Sequence, residues 1–288
     1  EIHVRKGKIT IDHPVIIPQG YQLHIKAGTE IDLVNKAMII SYAPVLIEGK
    51  LNNPVIITSS DFSGNGFTVL QAKGRSRLEH VVFKNLNTLD YKGWTLTGAV
   101  NFYESDVDIT NTLFYRNQCE DALNIIRSEF IIDNSSFEYI YGDAFDSDFS
   151  NGSLLNTEFK NIGNDAIDFS GSTIHIENVI VEKANDKGIS GGEQSNLTVE
   201  NTRIIESNIG VASKDLSIVE IYNSEIRDCN IGLVLLKKKP EYGPGKIILI
   251  NTSILNPKTK MMIEVGSILQ VDSTIIKGTE ENLSEKFY

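Results

Sequence analysis

Short runs in which apolar and polar residues alternate recur along this chain, and each is closed by a turn-forming residue. In Ile174-His-Ile-Glu and Leu197-Thr-Val-Glu the apolar members stand two apart. That is the period of a strand with one face buried. An Asn follows such runs at Asn111, Asn134, Asn156, Asn178, Asn201, Asn223 and Asn251, at spacings of 23, 22, 22, 23, 22 and 28. A second segment recurs between them: Asp121-Ala-Leu-Asn-Ile, Asp143-Ala-Phe-Asp-Ser, Asp165-Ala-Ile-Asp-Phe, Lys187-Gly-Ile-Ser-Gly, Ile209-Gly-Val-Ala-Ser and Ile231-Gly-Leu-Val-Leu, each 22 residues after the last.

A strand-rich repeat of about 22 residues is too short for helical repeats and too long for a hexapeptide coil; it fits a coil of two or three strands stacked on the next in register. The pattern predicts an all-β fold, a parallel β-helix of about ten coils forming a single domain over residues 1–288. Residues 1–80 read as irregular coils, 81–275 as regular coils and 276–288 as a cap or tail. Insertions break the period near Asn87–Leu96, which carries Tyr91 and Trp94, and at Lys237–Gly245, which carries Lys237, Lys238 and Lys239. Cys119 and Cys229 share a column five coils apart, about 24 Å at the parallel strand spacing, and are expected to be free thiols.

Alternation sorts the strand of this second segment into faces. Ile167 and Phe169 point inward, which leaves an outward column of Asn101, Asn124, Asp146, Asp168, Ser190, Ala212 and Val234. A second runs through Ile126, Asp148, Ser170, Gly192, Lys214 and Leu236, and a third, in the turn before the strand, through Asp121, Asp143, Asp165 and Lys187. The Asn and Gly columns read as turn and packing requirements. The Asp columns stack carboxylates about 5 Å apart, an arrangement that raises one pKa of a pair and suits proton transfer or a cation. Asp146 and Asp168 form the lead acid/base pair, with Asp143, Asp148, Asp165, Lys187 and Lys214 as further catalytic candidates. Asn124, Arg127, Glu104, Ser190, Glu193 and Trp94 are placed to bind substrate, and Asp215 lies on the same strand edge. The alternative for the columns is turn-forming Asp residues that cap backbone N–H groups. His3, His13, His24, His80 and His175 lie outside the columns and read as structural.

Composition narrows the partner. Of 288 residues, 41% are hydrophobic and 23% charged, and a net charge of −11 argues against nucleic acid. No apolar run approaches the ~18 residues of a membrane span. The chain begins with Glu1 and reads as part of a longer one.

From Leu78 to Thr274 the repeat resembles the pectin-lyase-like right-handed β-helix superfamily. Its polygalacturonase-type members carry Asn-Thr-Asp, Asp-Asp, Gly-His-Gly and Arg-Ile-Lys on successive coils. Asp143 stands at the Asp of the first motif, Asn164-Asp165 at the second, Asp186-Lys187-Gly188 at the third and Ala212-Ser213-Lys214 at the fourth. Asp143, Asp165 and Lys214 match. Asn164, Lys187 and Ala212 depart, removing the general acid and the carboxylate-binding Arg of that activity. The resemblance implies a polysaccharide or oligosaccharide partner, an extracellular, periplasmic or cell-surface location, and a hydrolase, lyase or epimerase. Of the cofactors, Ca²⁺ held by the Asp cluster is the one to consider. The competing reading is a non-catalytic β-helix serving as a carbohydrate-binding, adhesin or structural domain.

Overall fold

A computed structural model describes residues 1–287. The chain is a right-handed parallel β-helix of about twelve coils, somewhat more than the ten expected. Among the described residues the one helix is the short turn Ser284–Phe287. The chain divides into two compact units, Glu1–Asp146 and Ser147–Tyr288.

In the first unit every coil adds one strand to each of three parallel sheets. Val45–Glu48, Ser76–Glu79 and Val107–Thr110 lie side by side in the first sheet; Val55–Thr58, Val81–Lys84 and Leu113–Tyr115 in the second; Phe67–Leu70, Gly98–Tyr103 and Asp121–Ile126 in the third. The interior is a ladder of identical side chains: the Phe114 ring stacks on Phe137 at 4.4 Å and on Phe83 at 5.4 Å. The 89–96 insertion is an antiparallel hairpin, Leu89–Tyr91 with Trp94–Leu96. Leu89 and Tyr91 pack on Met38, Ile40 and Leu70.

The second unit repeats the plan, and after Phe159 the inward column turns aliphatic. Val181, Ile204 and Ile226 continue one inward column. In its third sheet Asp168 pairs with Ser190, Ser190 with Ala212 and Ala212 with Val234, the register read from the sequence. Gly188 and Gly210 are close-approach positions, since a Cβ on Gly188 would lie 2.7 Å from the Gly210 carbonyl oxygen.

The corners explain the Asn column. All seven of these Asn residues adopt left-handed backbone, φ between 48° and 57°. Short polar residues tolerate that region best after Gly. The amides then bond along the stack, as Asn178 Nδ2 to Asn156 Oδ1 (3.2 Å) and Asn251 Nδ2 to Asn223 Oδ1 (2.7 Å). A buried hydroxyl follows at most of them. Thr112 N donates to Ser135 Oγ, and Thr202 N to Ser224 Oγ. Cys119 and Cys229 are buried free thiols.

Two expectations are corrected. Ala212 and Val234 face outward yet are buried, because Leu283 of the C-terminal segment packs on Ile209, Ala212, Val234 and Leu236, with Phe287 at the margin. The outward column turns apolar where the chain covers it. Asp121, Asp143 and Lys187 open their strands rather than sitting in the preceding turn, and Asp121, Asp165 and Lys187 are buried.

Candidate active site

The second unit gathers charge on the outward face of its third sheet. Ile167–Ser170, Lys187–Gly192 and Ile209–Lys214 lie side by side, so Asp168, Ser190 and Ala212 form one column and Ser170, Gly192 and Lys214 the next. Asp148 precedes Ser170 in that second column: Phe149 N donates to the Ser170 carbonyl at 2.8 Å, the bond that parallel pairing of Asp148 with Ser170 produces. Asp148 and Asp168 are therefore diagonal across adjacent strands.

Lys214 reaches back over Gly192 to bring its Nζ within 3.5 Å of Asp168 Oδ1. A Cβ on Gly192 would lie 3.3 Å from Lys214 Cε, so the missing side chain is what lets the lysine cross. Asp168 Oδ1 is buried and accepts no hydrogen bond; its contact with Lys214 is an ion pair without hydrogen-bond geometry.

The 237–245 insertion adds cations from the side. Asp215, buried at the strand edge, accepts the backbone N–H groups of Lys238 (2.7 Å) and Lys239 (2.8 Å). Leu216 N bonds to the Gly243 carbonyl at 3.0 Å, and Glu264 accepts the Lys237 N–H. The insertion is thus pinned at both ends. Lys239 Nζ pairs with Glu193, which raises the lysine's pKa. Burial, followed by the charges of Lys214, Lys187 and Lys239, lowers the pKa of Lys238 against the pull of Asp168.

These surroundings act on Asp148. Burial first, then the charges of Glu193 and Asp168, push its carboxyl up to about 6, while Lys239 draws it down. Phe149, the next residue, turns through left-handed backbone (φ 51°) and leaves its ring half exposed against Gly171, where a Cβ would clash at 2.5 Å. An aromatic face therefore stands beside an acid/base cluster.

The other predicted residues separate into groups. Lys187 and Asp165 form a buried pair: Lys187 N donates to Asp165 Oδ1 at 2.9 Å, its Nζ lies 3.3 Å from both carboxylate oxygens, and Asp186 flanks the ammonium. Ser190, between Asp168 and Ala212 in the column, is buried. Glu193 joins the cluster through Lys239, whereas Asp215 pins the insertion instead of lining a groove.

In the first unit, Asp143 and Asp146 are half-buried and Asn124 is buried. Asn124 Nδ2 is shared by Asp121 Oδ2 (2.9 Å), Thr97 Oγ1 (2.8 Å) and Asp146 Oδ2 (3.4 Å). Arg127 lies exposed at the strand edge, donating to Tyr103 Oη at 3.1 Å, with Glu104 at 3.9 Å. Trp94 is half exposed on the hairpin. Sequence reasoning passed over Phe149, Lys238 and Lys239 as site residues. The lysine run was visible inside an insertion, and Phe149 stands in the edge column of Glu104, Arg127 and Glu193 as its one aromatic member.

No protein-family profile matches the chain, and no curated protein matches it in sequence. Solved structures do. A crystal structure of the periplasmic alginate epimerase AlgG superposes with a TM-score of 0.60 at 12% identity, covering 93% of this chain and 78% of that one. A point mutant of AlgG gives 0.62 at 13% identity, covering 94% and 76%. The catalytic domain of a GH87 α-1,3-glucanase variant, in complex with tetrasaccharides, gives 0.50 at 12% identity, covering 87% and 61%. The likeness is one of fold, that of the right-handed parallel β-helix.

Proposed function

We propose that the chain is a polysaccharide-cleaving enzyme whose acid/base pair is Asp148 and Asp168. The observation that carries this reading is the different surroundings of two carboxyls on one exposed face. Asp148 is pushed to about 6 by burial and by Glu193 and Asp168, whereas Asp168 sits against the Lys214 ammonium. Two carboxyls whose environments differ in this way suit an acid and a base. Asp148 donates its proton to the glycosidic oxygen, and the Asp168 carboxylate activates water.

One strand spacing across and two residues along put the pair on the order of 8 Å apart, within the ~6.5–9.5 Å of inverting glycosidases. Phe149 supplies a stacking surface for a sugar ring. The fold is shared with a glucanase and an epimerase of polysaccharides, one of them periplasmic, which supports the substrate class and a location outside the cytoplasm.

A second reading rests on Lys238. Its lowered pKa beside other cations suits an amine base that removes the proton α to a uronate carboxylate, with Lys214 nearby to balance the developing charge. Elimination or epimerisation would follow.

Product analysis separates the readings. Incubation with neutral glucans and with uronans is expected to release new reducing ends without ultraviolet-absorbing unsaturated termini. Unsaturated termini, or an altered epimer ratio by NMR, would favour the lysine base. Binding without any product would leave a carbohydrate-binding domain.

A further inference from the structure

At the other end of the chain, the first strand, Ile2–His3, has two residues and pairs with Leu23–Lys26 alone. His3 stands directly opposite His24 in that parallel register, and the imidazole centroids are 5.2 Å apart. Parallel pairing places same-face side chains about 4.8 Å apart, so two histidines in one column form a pair without further arrangement. Carboxylates flank both rings. Glu1 Oε2 lies 3.0 Å from His3 Nε2, and Glu48 Oε2 lies 2.5 Å from His24 Nε2.

One donor atom each from Glu1, His3 and His24 falls within 4.8 Å of the others. Donors around one zinc ion stand about 3.3 Å apart, given bonds near 2.0–2.1 Å. Small rotations of the exposed His3 and Glu1 side chains close that difference.

We propose that Glu1, His3 and His24 form a binding site for a late divalent transition metal of the Zn²⁺ class, with Glu48 as the carboxylate that orients the His24 ring. Two imidazoles and a carboxylate are a recurrent donor set for such ions and leave a coordination position for water. A carboxylate on the second nitrogen of a ligating imidazole fixes its orientation. The consequence is local: a bound ion clips the two-residue strand Ile2–His3 to the neighbouring strand Leu23–Lys26 of the next coil. This site lies apart from the carboxylate–lysine cluster and does not depend on the activity proposed for it.

The test titrates Zn²⁺, and Co²⁺ as a coloured probe, into the untagged full chain. One equivalent is expected to bind, with a visible Co²⁺ spectrum of low coordination number and a melting temperature that rises with Zn²⁺ concentration. His3→Ala and His24→Ala should each weaken binding by more than about 10-fold and abolish the shift, and Glu48→Gln should weaken it by about 10-fold. His13→Ala is expected to behave as the unaltered protein. His3→Gln, at an exposed side chain, checks that a loss of binding is not a loss of fold. Absence of binding, or binding that survives both histidine changes, would overturn the proposal and leave two surface ion pairs.

Discussion

The outward face of the third sheet is furnished differently in the two units. In the first, the column carries amides bonded to near neighbours: Asn101 Nδ2 donates to Thr68 Oγ1 (3.0 Å) and to the Gly98 carbonyl (2.7 Å), and its Oδ1 accepts the Gly98 N–H. In the second, that column holds Asp168 and the neighbouring column adds Asp148 and Lys214, with lysines drawn over them by an insertion anchored on Asp215. Neutral amides on a strand face cost little and brace the backbone. Half-buried like charges cost stability unless they are paired, and Asp148 keeps a shifted carboxyl even with lysines near by. The same scaffold position therefore holds a braced amide in one unit and a charged carboxylate in the other.

The sharpest way to break this comparison is Asp168→Asn, which makes the second unit's column resemble the first. Loss of the base is expected to lower kcat by 10²–10⁴-fold, the usual range for general acid–base catalysis, with KM little changed. The amide is isosteric, so the circular dichroism melt should stay near that of the unaltered protein. Turnover within tenfold of the original would remove Asp168 from the mechanism.

The coil, its register and the inward columns were legible because a fixed period of 22 residues and an alternation of two leave few other arrangements. Phe114, Phe137 and Phe159 announce one inward column, and the Asn column announces a corner. What stayed hidden is what insertions and ends do to a face. Nothing local in Leu283 says that it covers Ala212 and Val234, and nothing in Lys238 says that Asp215 will turn its backbone towards Asp168. Asp165 and Lys187 carry the marks of a functional pair in the sequence, yet the structure buries them against each other. The lead pair read from the sequence was Asp146 and Asp168; Asp148, one alternation further along, has its carboxyl raised to about 6. Periodicity ranks positions by face, and only burial and neighbouring charge rank the acids on that face.

The second prediction concerns pH. The Asp148 carboxyl is raised in the fold to about 6 from an unfolded value near 3.9, so the folded protein prefers the protonated form. Its favourable contribution is complete below the unfolded value and is lost as pH rises through about 6. At pH 8 the ionised carboxylate costs about 1–2 kcal/mol once solvent screening of a half-buried group is allowed for. Asp148→Asn is therefore expected to raise the melting temperature by a few degrees at pH 8, with the gain vanishing towards pH 4. Turnover by the unaltered enzyme should fall about tenfold per unit above pH 6, a limb that Asp148→Asn removes together with most of the activity. A stabilisation equal at both pH values would point to packing instead of charge.

The smallest effect probes the first unit. Asn124 is buried, and its Nδ2 is shared by three oxygens, of Asp121, Thr97 and Asp146. Asn124→Ala takes that donor from a buried network, and the expected cost is about 1 kcal/mol of stability, the usual size for one lost hydrogen bond. If the amide column is a brace, kcat and KM on any substrate the enzyme turns over should stay within about twofold, since the change leaves every residue of the Asp148–Asp168 cluster in place. A large rise in KM with an unchanged melt would instead make Asn124 a substrate contact and extend the site into the amide column. The prediction is small in size, yet it is the one that separates a brace from a binding surface, because only the brace couples the loss to unfolding and not to turnover.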